Sequence, residues 1–127
     1  MSVTVNLRNN TTFFIKVNGI EEVIVPNTEI EDKTIQWVST ENKNIQIFNN
    51  EECTGQPICT GSLNFVSNDG IFVDRGSFNG TPLVKMQADV TGVSENITHE
   101  ESNQLEKLLE WSEIDPDTTL NLSFWNI

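Results

Sequence analysis

The chain has 127 residues, enough for one domain that buries a single core without help from metals. Only 7 Lys and Arg stand against 19 Asp and Glu, a net charge of −12. That balance excludes nucleic acid and an anionic membrane surface as partners, because both are held by surplus basic side chains.

The elements follow in chain order. Val3, Val5 and Leu7 alternate with Thr4, Asn6 and Arg8, the period of a half-buried strand, and Asn9-Asn10 breaks the pattern. FFIKV (13–17) runs into Asn18-Gly19 and on to IEEVIV (20–25). Asn-Gly between apolar runs predicts a tight hairpin whose two turn residues take positive φ, and Pro26 ends its second strand. KTIQWV (33–38) predicts a further strand, with Ile35 and Trp37 on one face if Gln36 points out.

Two stretches then repeat one pattern. Residues 45–58, IQIFNNEECTGQPI, align with residues 70–83, GIFVDRGSFNGTPL: Phe48 on Val73, Asn49 on Asp74, Cys53 on Phe78, Gly55 on Gly80 and Pro57 on Pro82. Each reads as an apolar strand, a polar tip with glycine, then proline and a second strand, so a β-hairpin is predicted twice. Between them SLNFV (62–66) meets a turn at Ser67-Asn68-Asp69-Gly70 and then IFVD (71–74). LVKMQADV (83–90) sends Val84, Met86, Ala88 and Val90 inward and Lys85, Gln87 and Asp89 outward.

After Gly92 the character changes. Thr98-x-x-Glu101 is a capping box, and Leu105, Leu108, Leu109 and Ser112 follow helical spacing, so a helix is predicted near 99–113 and stopped at Asp115-Pro116-Asp117. LNLSFWNI (120–127) reads as a closing strand, with Leu120, Leu122 and Phe124 on one face and Trp125 and Ile127 on the other. The predicted fold is mainly β: an antiparallel β-sandwich of about 8–10 strands built from hairpins, with turn glycines at Gly19, Gly55, Gly70 and Gly80, one C-terminal helix and a closing strand. One domain is expected, with 1–92 as β core and 93–127 as helix plus final strand.

Residue types for catalysis are scarce. His99 is the only histidine and falls in the first turn of the predicted helix, where it reads as part of the polar cap; nothing local joins it to Cys53 as base and nucleophile. A hydrolase working through two carboxylates gains no support from spacing when 19 acidic residues are present. Asp69, Asp74 and Asp89 lie near predicted tips and could gather calcium, but solvated turn residues are the simpler reading. Gly76 and Gly80 serve turns and form no phosphate loop. Trp37, Trp111 and Trp125 sit in apolar patterns and are expected in the core; no tyrosine is present to extend a sugar platform. No enzyme activity, metal or cofactor is therefore expected.

Cys53 and Cys59 are the only cysteines, and they flank the Thr54-Gly55-Gln56-Pro57 tip. Their spacing does not suit zinc, and a disulfide across the hairpin, free thiols and bridges between chains all stay open, since a bond needs Cα atoms within about 7 Å. Five Asn-x-Ser/Thr sites begin at Asn9, Asn10, Asn79, Asn96 and Asn121, in a chain rich in Asn. No apolar run reaches the ~20 residues that span a bilayer. No basic, then apolar, leader opens the chain, so an intracellular or vacuolar location is expected, or secretion with the leader removed.

The order of segments resembles a reduced thaumatin-like domain across about residues 3–90: VTVNLRNNTTFFIKV as opening strand and Asn-containing turn, KNIQIFNNEEC as a strand ending in cysteine, and LNFVSNDGIFVDRGSFNGTPLVKM with Phe78-Asn79-Gly80-Thr81-Pro82 near its end. The family's many cysteines reduce to two, and its acidic-cleft residues do not map one by one onto this chain, so no functional residue carries over. A βγ-crystallin-like reading comes second, from Phe48…Cys53-Thr54-Gly55 and Val73…Phe78-Asn79-Gly80. Both families are β-sandwiches. The thaumatin-like resemblance implies a non-catalytic binding module for a glycan or protein. The alternative is a self-associating structural, storage or crystal-forming protein, a homo-oligomer or higher assembly cross-linked through its cysteines.

Overall fold

In a computed structural model the described residues are 2–76, 78, 84–91, 97–100 and 105–126, with backbone path alone for 97–100 and 111. They form ten strands: β1 (Ser2–Asn10), β2 (Phe14–Val17), β3 (Thr28–Gln36), β4 (Glu41–Phe48), β5 (Cys59–Val66), β6 (Gly70–Asp74), β7 (Val84–Thr91), β8 (Ile97–Glu100), β9 (Leu105–Glu110) and β10 (Thr119–Asn126). Two open five-stranded sheets result. Sheet A has the order β3-β1-β10-β7-β8 and sheet B the order β2-β4-β5-β6-β9.

Alternation places the core. Val3, Val5 and Leu7 of β1, Val84, Met86, Ala88 and Val90 of β7, and Leu120, Leu122 and Phe124 of β10 are all buried on one face of sheet A. Ile15, Val17, Ile45, Ile47, Leu63, Phe65, Ile71 and Val73 do the same for sheet B, and both sets belong to one apolar cluster. The sheets thus pack face to face in a sandwich-like architecture. Trp37 is buried beside Phe65, ring centroids 5.7 Å apart, and Gln36 is exposed, so Ile35 and Trp37 share the inner face.

Among the described residues the predicted C-terminal helix is absent. Residues 97–100 and 105–110 are strands, followed only by a 3₁₀ turn at Trp111–Glu113. The reason is a β-bulge. Ile71 pairs with Leu109 and Phe72 with Lys107, so Leu108 is an extra residue in β9. Leu108 and Leu109 are both buried while Leu105 is 55% exposed. Two adjacent buried leucines imitate the i, i+3, i+4 stripe of a helix.

Other predicted features change as well. IEEVIV forms no strand; a single bridge joins Ile15 to Ile24. The Asn18-Gly19 reversal is real, closed by the Ile20 N–H on the Val17 carbonyl at 3.0 Å, but only Gly19 takes positive φ (95°). That is type II geometry, which does not lead into a long twisted ladder. The first copy of the doubled motif is a hairpin, β4 pairing with β5 up to Ile47 opposite Cys59. The second is not: β6 lies in sheet B and β7 in sheet A, and Gly80 with most of that link is outside the described residues. Nor is the sandwich wholly antiparallel, because β1 and β10 pair in parallel. Finally, Asn9-Asn10 continues β1, with Asn9 buried on the core side.

Candidate functional site: a polar groove on sheet B

Since Ile45, Ile47, Leu63 and Val73 point inward, their neighbours on β4, β5 and β6 point out. Register lays these outward residues side by side. Asn44 is opposite Ser62 and Ser62 opposite Asp74, making one row across three strands; Gln46 opposite Thr60 begins the next. A groove of about 290 Å³ runs over them, lined by Asn44, Gln46, Thr60, Gly61, Ser62, Asp74 and Gly76.

Gly76 keeps one wall low. Its φ is +49°, and a Cβ there would stand 2.5 Å from the Thr60 carbonyl oxygen, so no larger residue lets the chain lie this close to β5. The Gly76 N–H donates to Asp74 Oδ1 at 2.8 Å and orients the carboxylate. Ser62 Oγ donates to Asn64 Oδ1 at 2.8 Å, which commits its one hydrogen and leaves its lone pairs to accept. Among the described residues no group hydrogen-bonds the side-chain amides of Asn44 and Gln46, each of which carries two donors and an acceptor. Among the described residues of the lining, Asp74 is the one formal charge. On the same face Phe72 is opposite Asn64, and the Lys107 ammonium lies 5.5 Å from its ring centroid.

A smaller groove of about 140 Å³ crosses the outer face of sheet A, lined by Asn6, Arg8, Glu29, Glu31, Asn121 and neighbours. Its groups are largely spent on one another. Arg8 pairs with Glu29 at 2.6 Å, Asn6 Nδ2 donates to Asn121 Oδ1 at 3.0 Å, and Asn6 Oδ1 accepts the Asp32 N–H at 2.9 Å. The sheet B groove has more unspent hydrogen-bonding capacity.

The residues singled out from sequence are scattered. Cys53 and Cys59 are free thiols. Cys59 opens β5 facing the core at 2% exposure, while Cys53 sits half-exposed in the 49–58 loop at φ 54°. Burial pushes both thiols up, that of Cys59 to about 11. Asp69 pairs with Lys107, Asp74 belongs to the groove, and Asp89, on sheet A, accepts from Gln87 at 3.3 Å, so the three do not meet around an ion. Among the described residues no group of three or more His, Cys, Asp or Glu is placed to hold a metal. His99 stands opposite Ala88 in the β7–β8 ladder. Trp125 is half-buried on the outer face of sheet A, opposite Lys85, rather than in the core; the side chain of Trp111 is outside the described residues.

Gly19 and Gly55 take positive φ at reversals. Gly70 instead begins β6, where a Cβ would lie 2.0 Å from the Leu109 carbonyl oxygen, so its smallness serves strand packing. Of the sequon asparagines, Asn9 is fully buried, Asn121 is half-buried against Asn6, Asn10 is exposed, and Asn79 and Asn96 are outside the described residues. Sequence reasoning passed over Asn44, Gln46, Thr60 and Ser62. The signal was present as polar residues at alternate positions on both arms of the β4–β5 hairpin.

No family model, curated protein or solved structure matches this chain.

Proposed function

We propose that this chain is a non-catalytic binding module that takes a saccharide in the groove of sheet B. The observation that carries the reading is the pair of amides, Asn44 and Gln46, without hydrogen-bond partners among the described residues, beside Thr60, Ser62 and the oriented Asp74 carboxylate. Saccharide hydroxyls both donate and accept, and a planar amide answers both needs at once. Phe72 adds an aromatic edge to the same face. Among its described residues the groove is lined by one carboxylate, whereas glycoside hydrolysis uses two facing carboxyl groups, so binding is the reading we favour.

The self-associating alternative has less behind it. Cys59 is buried, so cross-linking would fall to Cys53 alone and would end at a dimer. Two sheet edges carry devices that discourage strand addition: charges and the positive φ of Asp32 on β3, and the bulge with Glu106, Lys107 and Glu110 on β9.

A glycan array with the wild-type chain and an Asn44→Ala/Gln46→Ala variant tests the proposal. Saccharide binding by wild type, weakened about ten-fold or more in the variant, is the expected result. Silence across polysaccharides, or equal binding by both proteins, would overturn it.

A further inference from the structure

We infer that this groove selects saccharides bearing free amino groups, the deacetylated hexosamine class, over neutral and acidic ones. The inference rests on the saccharide reading and narrows it. Asp74 and Ser62 are direct cross-strand partners. The Asp74 carboxylate is an acceptor only, with Oδ1 steadied by Gly76 and its remaining lone pairs available. The Ser62 hydroxyl has committed its hydrogen to Asn64, so toward the groove it too accepts. Two adjacent acceptors with no cation among the described residues of the lining suit a group that only donates. An ammonium has three donors and no acceptor, and its bond to a carboxylate is charge-assisted. A neutral hydroxyl in the same place would leave its own acceptor capacity facing acceptors.

The cations around the groove are placed so as not to cancel Asp74. Lys107 is drawn to Asp69 and Glu110, and Lys43 to Glu41 at 3.1 Å. Lys16 lies opposite Gln46 on β2, across the groove from β6. The net charge of −12 further concentrates cationic oligomers near the surface and repels acidic ones.

Titration calorimetry with glucosamine, N-acetylglucosamine, cello- and uronate oligomers of equal length tests this. We expect the glucosamine oligomer to bind wild type about ten-fold tighter than either neutral oligomer, and the uronate not to bind. Asp74→Asn keeps an acceptor for Gly76, so it should fold normally, bind the neutral oligomers as before and lose the preference for the amine. Asp117→Asn, in the turn before β10 of the other sheet, should retain it. Equal affinity of wild type for amine-bearing and neutral oligomers, or a preference that survives Asp74→Asn, would overturn the inference and leave the saccharide reading standing. Binding of no oligomer at all would overturn both.

Discussion

Arg75 and Glu106 form an ion pair inside the sandwich, Nη1 to Oε2 at 3.0 Å, with the arginine side chain fully buried and the glutamate 19% exposed. The bulge at Leu108 makes this contact. It reverses the parity of β9, so that Glu106, opposite Val73, turns inward and Leu105, opposite Asp74, turns out.

Breaking the pair on one side takes a carboxylate away from a buried guanidinium. Glu106→Ala should lower stability by about 3 kcal/mol in urea unfolding, the low end for a broken buried pair because Glu106 keeps some exposure. Arg75→Met combined with Glu106→Leu should be less destabilised than Glu106→Ala. An unchanged midpoint for Glu106→Ala would mean that the pair is solvated.

The bulge also separates strand from helix by experiment. Leu108→Ala and Leu109→Ala should each cost about 2–4 kcal/mol. Leu105→Ala should stay within about 0.5 kcal/mol, since that side chain is largely in solvent. A helix would bury all three on one stripe, so a large loss at Leu105 would refute the bulged strand.

Asn9 is a buried side chain with its hydrogen bonds filled. Nδ2 donates to the carbonyls of Phe13 at 2.8 Å and Ile24 at 2.9 Å, and Oδ1 accepts the Thr11 N–H at 2.9 Å and hydroxyl at 2.6 Å. It joins β1 to the turn after it and to the segment that bridges β2. Asn9→Asp removes both donors and sets a carboxylate against two carbonyls. We expect a loss of about 3 kcal/mol or more, read as a lower urea midpoint.

Cys59 gives the alkaline limb of stability a defined direction. Its thiol ionises near 9.0 when unfolded and is pushed up to about 11 by burial. Between those values the folded chain holds a proton that the unfolded chain has released, so stability falls as pH rises through this window and levels off above it. Cys59→Ala should remove that part of the slope. An aromatic disulfide reagent should find only Cys53 quickly in the folded protein, and both thiols after unfolding; two equally fast thiols would contradict the burial of Cys59.

Two glycines differ in what they protect. Gly55→Ala meets nothing within 4 Å and suffers only the φ of +79°, about 1–2 kcal/mol. Gly70→Ala drives a methyl into the Leu109 carbonyl and should cost more, by separating β6 from β9. Equal thermal midpoints for the two variants would contradict the close β6–β9 packing.

Much of the inside and outside of this protein is written along the chain. Val84, Met86, Ala88 and Val90, like Leu120, Leu122 and Phe124, are buried as alternation requires, because a strand with one covered face must place apolar groups at every second position. The misreadings have equally definite causes. Leu108 and Leu109 mimic a helical stripe because a bulge turns both inward. Asn9 reads as a breaker because a polar side chain satisfied by distant carbonyls looks, locally, like a loop residue.

By itself, then, the chain determined a β-built body, the inner face of most of its strands and the reversals at Gly19 and Gly55. Which strands become neighbours was decided only in three dimensions: β10 inserted between β1 and β7 and parallel to β1, β6 and β7 sent to different sheets, and Asn44, Ser62 and Asp74 brought into one row. The physical reason is that sheets are joined by backbone N–H and C=O groups, which are alike at every non-proline residue and carry no mark of their partner.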